Sequence, residues 1–184
     1  MPAYDRSELE EMVERWLETN RQAQELGNWQ QLGEMFTPDA TYGWNIGPRE
    51  EFMAVGRDEI RRVAVGMEMV GLEGWTYPYQ KVLIDERLGE VVGFWKQIAD
   101  AKRPDGSSYE VAGLGGSWFR YAGDWQWSWQ RDFFDFGNVT ALFIEMMQAG
   151  VLSNGMKNRM DRSMSQKDLP GHYPVGGAPV DLWD

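Results

Sequence analysis

Apolar positions in the first part of the chain recur at helical spacing. Leu9, Met12, Val13, Trp16 and Leu17 share one face behind the capping box Ser7-Glu8-Leu9-Glu10, and the pattern runs to Gly27. This predicts a long amphipathic helix. Trp29, Leu32, Met35 and Phe36 predict a shorter second helix, stopped by Thr37-Pro38-Asp39. Residues 41–46 read as a short strand that ends at Gly47-Pro48. After a loop, Asp58 opens a third helix through Ile60, Val63, Ala64 and Met67, which dissolves near Gly71 and Gly74.

From there the pattern changes to strands. Residues 77–85 and 90–101 flank a turn at Leu88-Gly89, 108–121 follow Pro104-Asp105-Gly106, and 125–136 follow Gly123-Asp124. Together they predict a four-stranded antiparallel meander. Asn138 then caps a last helix carrying Val139, Leu142, Phe143, Met146 and Met147 on one face. Beyond Gly150 no period is sustained. The chain thus reads as one α+β domain over residues 1–150, with helices segregated to one face of a sheet, and a tail, 151–184, that orders against the domain or a neighbouring subunit. A bent sheet closed by helices leaves a pocket between the layers.

Composition narrows the chemistry. A chain of 184 residues, 42% hydrophobic, can bury a core and still enclose a cavity. Its formal net charge of −11 speaks against nucleic-acid binding, which needs a surplus of Lys and Arg. With no cysteine and a single histidine, neither a thiolate nor a His-rich metal site is available, so no metal and no cofactor are expected. Acid/base work falls to Asp, Glu, Lys, Arg, Tyr or that histidine. The first residues lack a signal-peptide core, and no run reaches the roughly 18 apolar residues of a membrane span, so a cytoplasmic location with no membrane contact is expected. Ten tryptophans exceed the needs of the core, and some should line a cavity or an interface.

Several segments in order resemble one superfamily: Gly27-Asn28-Trp29, Phe36-Thr37-Pro38-Asp39-Ala40-Thr41-Tyr42, Gly56-Arg57-Asp58-Glu59-Ile60 and Trp129-Gln130-Arg131-Asp132-Phe133-Phe134-Asp135. Over residues 7–150 they resemble the nuclear transport factor two-like, SnoaL-like superfamily. The resemblance implies a cone: a curved antiparallel sheet wrapped around three to four helices and enclosing an apolar pocket. It does not name a reaction, because the superfamily includes isomerases, dehydratases, cyclases, epoxide hydrolases and non-catalytic members. Against the limonene epoxide hydrolase type, Tyr42, Asn45 and Asp132 fall at similar places to the residues that hold a water. On the middle strand Lys96 takes the arginine position, while the acid position holds Ile98.

The resemblance and the residues together nominate a site. Lys96 lies in the alternating set Val92, Phe94, Lys96, Ile98; if that face is inward, burial suits the lysine to proton transfer or to holding an oxyanion. If the set Val91, Gly93, Trp95 is inward, Lys96 is a solvated surface residue. On the last strand, Gln126, Ser128, Gln130 and Asp132 face the pocket in one reading, with Asp132 as general base. In the other the tryptophans face inward and Arg131 supplies the polar group, and a bulge near Gln130-Arg131 would exchange the two faces. Asp135 reads as a helix-side cap or an ion-pair partner. Tyr42 offers a phenol donor and Asn45 an amide, while Trp44, Tyr79, Trp95, Trp118, Gln130 and His172 are candidates for substrate contact. The function this favours is a cofactor-independent lyase, dehydratase or isomerase acting on a small hydrophobic, aromatic or polycyclic molecule. Epoxide hydrolysis and non-catalytic ligand binding or assembly are the alternatives, and the resemblance, through the exposed aromatic strand faces of that superfamily, implies a homodimer or homotrimer.

Overall fold

The computed structural model describes residues 4–165 and 168–184. Helix α1 (Arg6–Leu26) starts at Asp5, whose carboxylate accepts the Ser7 N–H, and stops at Gly27 in the left-handed conformation. Leu9, Met12, Trp16, Asn20 and Ala23 form its buried stripe. The second helix is a 3-10 segment, Gln30–Met35. Strand β1 (Phe36–Ile46) begins earlier than expected, so Thr37-Pro38-Asp39 lies inside the strand rather than before it. The pairing with its neighbour shifts register there, which accommodates a proline that has no N–H to give to the ladder.

The expected loop after Pro48 is a strand, β2 (Glu50–Val55), antiparallel to β1. Its two leading glutamates mask a short run, Phe52-Met53-Ala54, that is completely buried. The third helix is a short α-helical turn, α2 (Arg57–Glu59), continued as a π-helical turn, Ile60–Ala64, and followed by a 3-10 turn, Met67–Met69.

The meander forms from β3 (Tyr79–Asp85), β4 (Glu90–Trp95), β7 (Gly115–Tyr121) and β8 (Trp127–Phe133). Two of the predicted long strands break in the middle. Their far halves, β5 (Ile98–Lys102) and β6 (Ser108–Glu110), leave the main sheet as a separate hairpin. Beyond β8 come α3 (Phe136–Gln148), capped by the Asp135 side chain rather than by Asn138, then α4 (Asn154–Ser165) and β9 (His172–Pro174). The main sheet runs β3-β4-β7-β8-β1-β2-β9 and is antiparallel except where β1 joins β8 in parallel. The tail is therefore built into the fold: Met156 of α4 is buried, and β9 extends the sheet at β2.

Helix α1 lies across the inner face of this sheet. Trp16 meets the rings of Phe36, Phe119 and Trp127 with centroids 6.0, 5.0 and 6.4 Å away. A second apolar cluster, with Trp75, Tyr109, Leu142, Met146 and Met156, joins the β5–β6 hairpin to α3 and α4. Each fully buried Phe, Leu or Met in these cores contributes roughly 1.5–3 kcal/mol. Among the described residues, no helix is long and apolar enough to cross a membrane.

Candidate active site

The layers do not close completely. Between them lies a cavity of about 720 Å³, lined by Trp16, Trp29, Tyr42, Trp44, Tyr77, Tyr79 and Trp95 and by side chains of α3 and α4. Two glycines make room for its aromatic wall. A Cβ on Gly93 would stand 2.3 Å from the Tyr79 ring, and one on Gly115 would stand 2.5 Å from Trp95. Both rings can therefore lie flat against the sheet.

A bulge decides which polar groups reach this space. Arg120 pairs with Trp129 and Tyr121 with Trp127, so Ser128 has no partner of its own on β7. Trp127 consequently faces inward together with Gln130 and Asp132, while Trp129 and Arg131 face outward. The slip sits at Ser128, not at Gln130-Arg131, and it removes Ser128 from the inward set. Each reading of the last strand therefore holds for part of it.

Asp132 is the polar centre of the inner wall. Its Oδ2 accepts the Tyr42 hydroxyl at 2.5 Å, and its Oδ1 accepts Ser117 Oγ at 2.6 Å and Gln130 Nε2 at 2.8 Å. Strand register places all three: Tyr42 pairs with Gln130 across β1–β8, and Ser117 with Asp132 across β7–β8. Trp95 Nε1 donates to Ser117 Oγ at 2.9 Å, which orients that hydroxyl from behind. Desolvation pushes the Asp132 carboxyl above its ordinary range, opposed by its three donors. Burial, reinforced by the charge of Asp132, holds the Tyr42 phenol protonated. The result is a basic carboxylate in an apolar cavity, fixed in orientation.

Two further phenols face the same space. Tyr79 accepts Trp16 Nε1 at 2.9 Å, and Tyr77 accepts Gln97 Nε2 at 3.4 Å. Burial raises the pKa of both, so both are protonated near neutrality. Glu68, Arg159 and His172 line the cavity as well.

Trp44, Tyr79, Trp95, Gln130 and His172 therefore stand on the cavity with Tyr42 and Asp132. Lys96, Asn45 and Trp118 do not. Strand β4 ends at Trp95, where Lys96 N–H turns to the Pro78 carbonyl, and the inward set is Val91, Gly93 and Trp95, followed by Gln97. Lys96 is left exposed in an ion pair with Glu110 at 2.8 Å. Asn45 is exposed near the end of β1, so the water-holding set Tyr42, Asn45 and Asp132 is not assembled. Trp118 faces outward against Trp129, its Nε1 donating to Glu90 at 3.1 Å.

The sequence reading missed Ser117, Tyr77, Gln97, Glu68 and Arg159. A polar residue in phase with Phe119 and Tyr121 was a signal for Ser117, but Glu68 and Arg159 meet across 91 positions and carry no local signal. Among the described residues, no group of three or more His, Cys, Asp or Glu converges as a metal site.

No family model and no curated sequence matches the chain. Solved structures do. An NTF2-like protein from Anabaena variabilis aligns over 73% of this chain and 95% of its own, with 18% identity and a TM-score of 0.53. PrhC from Penicillium brasilianum aligns over 83% and 96%, with 13% identity and a TM-score of 0.56. TerC, co-crystallised with polyporic acid, aligns over 71% and 96%, with 13% identity and a TM-score of 0.52. These likenesses show that the chain has the nuclear transport factor two-like fold, an α+β layout with a curved mixed sheet.

Proposed function

We propose that the protein is an acid/base enzyme, of the isomerase, dehydratase or lyase kind, acting on a small aromatic molecule held in the cavity. The observation that carries this reading is Asp132: a desolvated carboxylate held by Tyr42, Ser117 and Gln130 at the wall of a largely apolar cavity. In this role Asp132 takes a proton from a carbon next to a carbonyl, and the C–H electron pair moves onto the carbonyl oxygen. The Tyr77 hydroxyl, whose proton has no acceptor among the described residues, donates to that oxygen. Return of the proton at another carbon completes an isomerisation, and loss of a neighbouring hydroxyl as water completes a dehydration. Tyr42 keeps the base oriented. A structural neighbour co-crystallised with polyporic acid supports a cavity suited to small organic ligands.

The test is solvent deuterium uptake by a panel of aryl ketones and hydroxyketones in D2O, followed by proton NMR. Wild type should exchange an α-proton that Asp132→Asn leaves in place, with turnover lower by about 10²–10⁴-fold. An unchanged rate in a folded Asp132→Asn variant removes the base from the proposal.

The outer sheet face supports a homodimer. Leu83 and Phe133 are 48% and 39% exposed there, beside Phe94 and Trp118. Light scattering of the purified protein checks it, and a monomeric mass at micromolar concentration counts against it.

A further inference from the structure

The cavity has a second polar pole, on the wall built by the Met67–Met69 turn, α4 and β9. The buried Glu68 carboxylate pairs there with Arg159 at 3.1 Å and Arg162 at 3.8 Å, and its Oε1 lies 3.4 Å from His172 Nε2. Glu50 contacts His172 Nδ1 at 2.5 Å. Arg159 and Arg162 stand there opposite the carboxylates of Glu50 and Glu68, and His172 adds a third positive charge when it is protonated.

Arg159 is only partly used by this cluster. Its Nη1 donates to the Glu68 carbonyl and its Nη2 to Glu68 Oε2, which occupies the outer end of the guanidinium. Nε–H and the second Nη2–H, the side-on edge, have no acceptor among the described residues. Arg159 lines the cavity, and its charge reaches the Tyr77 phenol, which also feels Asp132. An unfilled pair of parallel donors beside an apolar space matches a planar two-oxygen anion. The opposite pole is a carboxylate, which repels an anion. A ligand with one acidic end therefore has a single favourable orientation.

We infer that the cavity takes an aromatic carboxylic acid as its anion, with the carboxylate in the side-on fork of Arg159 and the reactive carbon toward Asp132. This rests on the cavity being the ligand site. A latch holding α4 and β9 closed would explain the Glu68 ion pairs, but it leaves the free edge of Arg159 without a role.

The test is displacement of Nile red from the cavity by naphthoate and by its neutral isostere, naphthamide. Wild type should prefer naphthoate by about tenfold or more, as expected for charge-assisted hydrogen bonds. The double variant Arg159→Met/Glu68→Gln removes one charge of each sign, so the net charge is unchanged. It should abolish the preference while naphthamide stays within about twofold. Arg159→Lys, which keeps the charge and loses the fork, should show a reduced preference; if the double variant does not fold, this variant decides. Equal affinity for the two probes in wild type, or a preference undiminished in the variants, overturns the inference while leaving the Asp132 reading intact. Failure of wild type to bind Nile red or either probe overturns the cavity reading and this inference with it.

Discussion

Tyr42→Phe isolates the hydrogen bond that defines the site. The substitution removes one oxygen and keeps the ring, which stacks on Phe36 at 6.1 Å and meets Trp44 edge-on at 5.4 Å, so it opens no large cavity. What it deletes is a donor 2.5 Å from a desolvated carboxylate. With Asp132 ionised, such a bond contributes about 1.5–3 kcal/mol; once Asp132 is protonated, an ordinary bond of about 0.5–1.5 kcal/mol remains. The cost of the substitution should therefore grow with pH. The sign follows from the direction of the shift. The raised Asp132 pKa makes the group favour folding at low pH and lose that contribution as pH rises through the folded pKa. Deleting a donor that lowers this pKa moves the loss to higher pH and deepens it. Urea unfolding at pH 4.5 and pH 8 measures both limits, and near pH 8 a loss of about 2 kcal/mol corresponds to a melting temperature roughly 4–8 °C lower. A destabilisation of equal size at both pH values would refute the argument that Tyr42 serves an ionised Asp132.

Three further outcomes follow from the same geometry. Burial opposes but does not outweigh Glu68 and Glu50, which raise the His172 pKa above its ordinary 6.5. Its contribution to holding β9 is fully present below that value and is lost as pH rises through the folded pKa, so amide protection factors at residues 171–175, with the intrinsic base-catalysed rate divided out, should fall as pH rises past that value, and His172→Gln should remove that fall. Arg131 is buried and donates to the backbone oxygens of Thr41, Asp181 and Leu182, its own pKa pushed down to about 10 by desolvation. Arg131→Met should free residues 181–184, read as faster proteolysis there and a red shift of Trp183 emission. Gly115→Ala drives a methyl into the Trp95 ring, and should cost about 1–3 kcal/mol in urea unfolding while weakening Nile red binding.

Helix α1, the meander strands and the Asp135 cap are written locally. Spacings of three and four residues, or of two, together with a capping side chain and turn glycines, specify them with no need of the rest of the chain. The same local information placed Tyr42 and Asp132 on strands. It did not place Lys96, because alternation gives two equivalent faces and only the end of β4 at Trp95 chose between them. Nor did it find β2, whose pairing with β9 joins Glu50 to Pro174 across more than a hundred residues.

The sequence by itself determined an α+β chain with an aromatic surplus, a carboxylate near the end of its last meander strand and a single titratable histidine in the tail. Tertiary structure alone decided which groups meet. One unpaired residue, Ser128, turns Trp127 inward with Gln130 and Asp132 and sends Trp129 and Arg131 to the other face. Long-range pairing brings Ser117 to Asp132, and Arg159 and His172 to Glu68. The physical reason is range: helical and strand periods are short-range properties of the backbone, whereas a bulge or an ion pair forms only where another segment supplies the opposing surface.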